Sequence, residues 1–442
     1  MKTMDHKQIL KKKKDISERP ARSHNRSYDA AFLDSLKDKG FFEGRKNALE
    51  KYDGMRQEDI IHESHIRTGF NIDFDKKLLK EGKTEYVFDK NFKRYKVSIL
   101  QLSDFIKNNL DKDNSWIIES LMKTEHVRLM KLDYLHLGLS DIKIIVIEAG
   151  QKIPDTLLID RKVTGNNYNH LVFWIKSDVK VTIMLRTSIK DPDTRTDDAK
   201  VNPASKEDKR IKMIHRIHKD LLITDFVDVF SEDGSSLCLI EEKSLDDTYT
   251  NYSKKFGHLK DDARIDWITV DKDNKLSYTE HHMKLLGKNS RSNINTIFCG
   301  KDSEYVTYTL SEHFGKGSES LIQQRGVLRG SKAIIKGLIR INPEASQSNS
   351  YQKSDILLID DKSRAISIPN LQIYNNDVKC SHGATISRLD DEKIFYIQSR
   401  GFNDIEASKI VITGFFNKLL SIIPDENLRD MINSDIMGEY DE

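Results

Sequence analysis

The sequence holds three cysteines, and one of them lies two residues from a histidine, in "DVKCSHGATISRL", Asp377 to Leu389. If Val378 to His382 is a strand, Cys380 and His382 point to the same face, roughly 6–7 Å apart along the chain. A thiolate beside an imidazole suits a soft or borderline metal such as iron, zinc or copper(I). The same pair could work as a Cys–His nucleophile. A third reading needs no chemistry at all: a buried cysteine next to a hydrogen-bonded histidine at a strand end. Spacing alone leaves the three open.

Other candidate sites are weaker. His281 and His282 in "TEHHM" are adjacent, so in a strand they face opposite ways and cannot chelate together. His215 and His218 in "HRIH" stand three apart on an expected helix, but no third ligand is near in sequence. Asp191, Asp193, Asp197 and Asp198 fall in a polar loop, 191–209, without the spacing of a calcium loop. "HFGKGSES", His313 to Ser320, resembles a phosphate loop only superficially, because Leu310 stands where a Walker A motif needs its first glycine. With no G-x-S-x-G and no dinucleotide fingerprint, no nucleotide is expected to bind this chain. Cys238, Cys299 and Cys380 include no C-x-x-C, are too few for a four-thiolate cluster, and do not form a disulfide framework.

The elements that must position Cys380 and His382 change along the chain. Lys11 to Lys14 sit in a basic tail, 1–25, expected to be flexible. From 26 to 140 the apolar spacing is helical, as in "SYDAAFLDSLKDKG", "SILQLSDFIKNNL" and "WIIESLMKTEHVRLMKL". From 141 to 388 the period shortens. "DIKIIVIEAG", "HLVFWIKSDVKVTIMLRTS", "KLSYTEHHMKLLG", "YVTYTLSEHFG", "KAIIKGLIRIN", "SDILLIDDKS", "RAISIPNLQIYNND" and "GATISRL" read as short strands separated by Gly, Asn, Asp or Ser. Helix-length connectors are mostly missing, which disfavours βαβ units and leaves a parallel β-helix or an antiparallel sandwich. Scarce Asn-Gly and Asp-Gly turns tilt the choice to the β-helix.

Residues 389–442 return to helix. Gly401 stops one helix, Asn403 with Glu406 forms a capping box for the next, and Pro424 closes it. Ile405, Ile410, Val411, Phe415, Leu419 and Ile422 make an apolar stripe too wide for a lone helix. Either the β domain or another protein must cover it.

Over 442 residues, 37% are hydrophobic and 32% charged, the balance of a soluble globular protein of two or three domains. A net charge of +2 does not advertise nucleic acid. No apolar run approaches ~18 residues, so no membrane span is expected. The polar start argues against a secretory signal, and the sparse cysteines fit the cytoplasm.

The C-terminal third resembles the SufB/SufD family, the scaffold proteins of SUF iron–sulfur cluster assembly. The resemblance is carried by Pro369–Asn370–Leu371–Gln372–Ile373, by "DVKCSHGAT", and by "DDEKIFYIQSRG" followed by "EA" and "GF". It is good from about Ile265 to the end, fair from Ile142 and poor before that. It implies a right-handed parallel β-helix core flanked by N- and C-terminal α-helical regions, and a non-enzymatic cytoplasmic scaffold that works with a SufB-like subunit and a SufC-like ABC-type ATPase. The resemblance puts His382 at a subunit interface where a transient iron–sulfur cluster forms, with Cys380 beside it as a further candidate ligand. It assigns Ile405, Val411, Phe415, Phe416 and Leu419 to ATPase docking. Ser363 occupies the position of a cluster-binding cysteine in SufB-like chains, and Gly383 that of a glutamate, so "KCSHGAT" is the SufD-like form. Alternatives are a purely structural subunit, a homodimeric scaffold and, from another class, a β-helix carbohydrate-active enzyme.

Overall fold

Runs of about ten residues rich in Ile, Val, Leu and Thr, each closed by a tight corner, wind into a parallel β-solenoid in the computed structural model. The structure describes residues 82–102, 104–105, 131–190, 221–246, 248–272, 274–438 and 440, with single positions 51 and 117. The basic tail, most of the expected N-terminal helices, the loop 191–209 and the His215–His218 pair lie outside these residues.

The chain alternates between two sheets. The first holds β4 (Lys152–Thr164), β6 (Lys180–Ile189), β8 (Ser236–Ser244), β10 (Arg264–Lys272), β12 (Arg291–Lys301), β14 (Glu319–Arg329), β16 (Asn349–Leu358) and β18 (Lys379–Arg388). The second holds β3 (Asp141–Ile147), β5 (Asn167–Ile175), β7 (Leu221–Ser231), β9 (Tyr249–Leu259), β11 (Leu276–Leu285), β13 (Glu304–His313), β15 (Lys332–Ile341) and β17 (Arg364–Ile373). Arg264 pairs with Arg291, which pairs in turn with Glu319, Asn349 and Lys379, so coils step by 27, 28, 30 and 30 residues. Parallel pairing in register stacks like positions into columns that run the length of the solenoid. The β-helix rather than the sandwich is therefore the fold.

Alternation gives each strand one inward face. Leu239, Trp267, Ile294 and Ile322 form one inward column and Leu171, Phe173 and Ile175 lie in the same core. Burying each such side chain is worth roughly 1.5–3 kcal/mol. Mid-solenoid, the interior turns ionic. Arg161 bonds both carboxylate oxygens of Asp225 at 2.7 and 2.8 Å, Lys243 reaches Asp225 at 2.8 Å, and Lys255 pairs with Glu241 at 2.7 Å. Burial alone would raise the Asp225 carboxyl, but Arg161 and Lys243 outweigh it and hold the group well below the carboxylate range.

One end of the solenoid is closed by strands that break the winding. β1 (Lys83–Phe88) runs antiparallel to β4, and β2 (Val97–Gln101) antiparallel to β3. Both strands lie in the stretch expected to be helical. "SILQLSDFIKNNL" has helical spacing, yet its first four residues lie in β2, because pairing with β3 outweighs local periodicity. The chain divides into two compact units, 1–76 with 112–141 and 77–111 with 142–442. In the first unit, α1 spans Lys131–Leu139.

After the last coil come α2 (Asp391–Gln398), α3 (Asp404–Leu420) and α4 (Glu426–Gly438). Asn403 and Glu406 make the expected reciprocal capping box of α3, and Gly401 takes φ +97°, which a side chain would resist. α3 and α4 pack on the outer face of the first sheet. Ile412, Phe416, Leu419, Leu420, Ile432 and Ile436 share one buried cluster with Met184, Ile240, Ile268, Val270 and Val327. Cys238 and Cys299 belong to this cluster too, outside the coil interior. Their neighbours in each strand alternate, and it is those that face inward.

Candidate functional site at the terminal coil

β17 and β18 form the last coil, and each stands at the end of its sheet. Among the described residues no strand pairs with their outer edges. Exposure follows from this. β5 is buried along nearly its whole length, whereas β17 is half-buried or exposed throughout and β18 likewise. Ile366 and Ile368 on the outer face of β17 are 45% and 39% exposed, and Ile386, in register with the buried Ile356, is 43% exposed at the open mouth.

Cys380 and His382 sit on β18, in register with Ser350 and Gln352 of β16. Ser350 and Gln352 are buried, and Cys380 packs against the inner apolar core, so both candidates turn inward at the open mouth of the coil. The sequence expectation of a shared face therefore holds. Cys380 is half-buried and His382 exposed. Burial pushes the Cys380 thiol up to about 11, so at neutral pH it is protonated. That disfavours a self-activated nucleophile. A metal binding there would have to displace the proton.

Beneath Cys380 runs a hydrogen-bonded hydroxyl column. Ser350 bonds Ser320, whose Oγ lies 2.9 Å from His313 Nε2. The other ring nitrogen, His313 Nδ1, lies 2.8 Å from Ser318 Oγ, which lies 2.9 Å from Ser348 Oγ. Burial lowers His313 to about 4, so its ring is neutral, with one nitrogen donating and the other accepting. Thus "HFGKGSES" is a corner between β13 and β14, not a phosphate loop.

The remaining sequence candidates lie apart from this site. His281 points inward with Nε2 3.1 Å from Thr269, while His282 points outward to Glu280 at 2.9 Å, facing opposite ways as expected. Lys254 pairs with the same Glu280 at 3.2 Å. Burial would raise that carboxyl, but Lys254 and His282 hold it below its usual range. Ser363 is buried at the opposite corner of the last coil, where its Oγ donates to Leu328 O and Asp360 Oδ1, each at 3.0 Å. Among the described residues, no three His, Cys, Asp or Glu side chains gather as a metal site. Within the described residues, Cys380 and His382 are thus at most part of a ligand set.

The expected docking residues separate. Phe416 and Leu419 are wholly buried against the solenoid, so they are not a docking surface but the seam that fastens α3 to the first sheet. Val411 and Phe415 are half-buried and Ile405 is exposed. Of the stripe, Leu419, Phe415 and Ile422 pack in the cluster shared with the first sheet, whereas Ile405 and Ile410 are left exposed. Sequence reading missed Phe395 (72% exposed), Tyr396 and Phe402, left in the open together with Ile410 of the stripe. "IFY" in α2 followed by "GF" was the available signal, since aromatics there outnumber what one helix face can bury.

Comparison with known proteins matches residues 204–415 to the family described as SUF system FeS cluster assembly, SufBD core domain. The iron–sulfur cluster assembly protein SufD of Bacillus subtilis is 28% identical over 219 residues, 49% of this chain and 50% of that protein. SufD of Escherichia coli is 34% identical over 152 residues, 34% of this chain and 36% of that protein. A SufBD family protein of Synechocystis is 28% identical over 179 residues, 40% and 37% of the two chains. The chain thus spans half or less of the length of these relatives, and the matched region contains most of the solenoid, the open coil and most of α3. It carries a SufBD core domain and belongs to the SufB/SufD family as a SufD-like member.

Proposed function

We propose that this chain is a scaffold subunit for iron–sulfur cluster assembly and that its open terminal coil is half of the site where the cluster forms. The observation that carries the reading is the coincidence, on one unpaired coil, of two free strand edges with an inward-facing Cys380–His382 pair. Free edges are templates for another chain. A SufB-like solenoid meeting them end to end would continue both sheets and enclose the mouth of the coil. His382 would then offer an imidazole nitrogen to iron, and the partner would supply the principal thiolate. In antiparallel pairing of like strands, the start of the partner's strand lies over the end of β17, next to the start of β18. The partner's counterpart of Ser363, a cysteine in SufB-like chains, would therefore arrive at the His382 corner.

Splitting ligands across a seam suits a scaffold, which must hold a cluster and then release it. A SufC-like ATPase would dock on the exposed apolar residues of α2 and early α3, Phe395, Tyr396, Phe402, Ile405 and Ile410. Nucleotide would then act only by preferring one arrangement of the subunits. The chain itself performs no catalytic step in this reading.

A purely structural role is the second reading. Ser363 in place of the thiolate and the protonated state of Cys380 favour it. Anaerobic reconstitution with SufB-like and SufC-like partners separates the two. His382→Ala is expected to leave complex formation intact and to lower cluster yield, read by visible absorption and iron content. Undiminished yield in a complete complex would select the structural role.

A further inference from the structure

Apolar contacts fasten α4 to the first sheet, but one carboxyl is trapped in the seam. Glu242 stands on the outer face of β8, two residues from Ile240 of the buried cluster, and is itself 1% exposed. Among the described residues no hydrogen-bond partner reaches either of its carboxylate oxygens. A carboxylate buried without donors is costly while it is charged.

Three charged groups face it, one from each element packed around it. Arg186, directly in register on β6, gives its Nε to Asp160 at 2.8 Å and turns Nη1 toward Met431 Sδ of α4 at 3.8 Å. Lys272 of β10 stays 4.0 Å from Glu242 and donates instead to the main-chain oxygen of Asp435 at 3.3 Å. Asp435, on α4, brings a second carboxyl within reach of a hydrogen bond to Glu242. Both cations are thus engaged elsewhere, and two carboxyls meet across the seam. With one proton between them they bond each other. Without it, two like charges face each other and one of them is buried.

We propose that Glu242 and Asp435 form a proton-operated clasp between the solenoid and α4, which holds the helix down when protonated and loosens it when ionised. Lifting α4 returns Glu242 to water and uncovers Ile432 and Ile436. The device is confined to α4, because α3 has its own fastening. Arg325 of β14 donates to the main-chain oxygen of Phe415 and stands 5.1 Å from the centre of the Phe415 ring. Burial, and then Asp435, push the Glu242 carboxyl up to about 7, so the clasp works across neutral pH. The sign follows from the raised value. A carboxyl at about 7 with the helix closed and near 4.5 with it open holds its proton better in the closed form. The closing contribution is fully present below about pH 4.5 and is lost as pH rises through 7. Between pH 6 and pH 8 the opening constant of α4 therefore rises about tenfold.

Hydrogen exchange of the full chain, followed by mass spectrometry at pH 6 and pH 8 and corrected for the intrinsic pH dependence of exchange, tests this. Protection of Glu426–Gly438 is expected to fall about tenfold at the higher pH, while β8 and β10 keep theirs. Glu242→Gln keeps the shape, loses the charge and should abolish the fall. Asp435→Asn, at an exposed position, removes the like charge without touching the core and should reduce the fall to about threefold or less. Protection of α4 that does not change with pH overturns the proposal. So does an equal fall in β8 and β10, which would mean global loosening, or a fall that survives Asp435→Asn undiminished.

Discussion

The two ends of the solenoid solve the same problem in opposite ways. Any stack of coils ends in strands with unsatisfied edges and an exposed slice of core. At the N-terminal end the chain turns back on itself. β1 and β2 pair antiparallel, and a 3₁₀ turn, Lys90–Lys93, lays Phe92 against the core with its ring edge-on to Phe88, centroids 5.1 Å apart. Gln151 mimics a strand there, accepting from Lys96 N at 2.9 Å and donating to Lys96 O at 3.1 Å, and Tyr95 donates to Asp155 at 2.6 Å. At the other end, β17 and β18 stop with isoleucines in solvent and then hand over to helices. Reversing strand direction forbids further parallel stacking. An open parallel coil invites it. On the proposed reading the closed end serves stability and the open end association, and substitutions should separate the two.

The largest expected effect lies at the closed end. Phe92→Ala removes a buried ring and leaves a cavity, at a cost of about 3 kcal/mol in unfolding free energy, measured by denaturant melts. Cluster-partner affinity should not change in the folded fraction. A loss of partner binding without a loss of stability would erase the distinction between the ends.

Next comes a pH effect that belongs to neither end. Glu242, under α4, is driven up to about 7, first by burial and then by Asp435, with Lys272, 4.0 Å away, opposing. A carboxyl whose folded pKa lies above its unfolded value near 4.5 binds more protons when folded. Its contribution is thus fully present below about pH 4.5 and is lost as pH rises through 7. The whole swing is on the order of 3 kcal/mol. Glu242→Gln should flatten the pH dependence of melting between 4.5 and 7 without altering assembly through the open coil. An unchanged slope would mean that Asp435 and Lys272 do not set the group's ionisation.

At the open end, Ile366→Lys with Ile368→Lys should weaken association about thirtyfold, or roughly 2 kcal/mol, while the melting temperature stays put. Analytical ultracentrifugation with the SufB-like partner, and with the chain alone, measures it. Destabilisation comparable to Phe92→Ala would show that these residues belong to the core, and unaltered association would remove this face from the seam.

How far this contrast was legible in the sequence depends on which residues carry it. The quoted strand runs fall on β3, β5, β6, β11, β13, β15, β16, β17 and β18, where apolar residues mark the strands clearly. β7, β8 and β9 escaped because their inward positions include Asp225, Glu241, Lys243 and Lys255, which satisfy one another only once the coils are stacked. A periodicity of hydrophobicity cannot register ion pairs such as Lys243–Asp225 and Lys255–Glu241, whose partners stand on different strands. β1 and β2 escaped for a related reason, since a closing strand is defined by its partner rather than its own alternation. Cys380 and His382 were legible as a pair because two residues on one strand face need nothing beyond the strand.

The smallest expected effect tests whether the open coil tolerates change on its outer side. A Cβ at Gly383 would come no closer than 3.3 Å to Tyr351 Oη, whereas one at Gly337 would run into the Gln352 amide. Both glycines lie within strands, yet only Gly337 is required by packing. Gly383→Ala should therefore change stability by less than about 0.5 kcal/mol, and Gly337→Ala by several times that. Equal costs would mean that the terminal coil is as tightly packed as the coils beneath it. A coil packed like that has no reason to wait for a second chain.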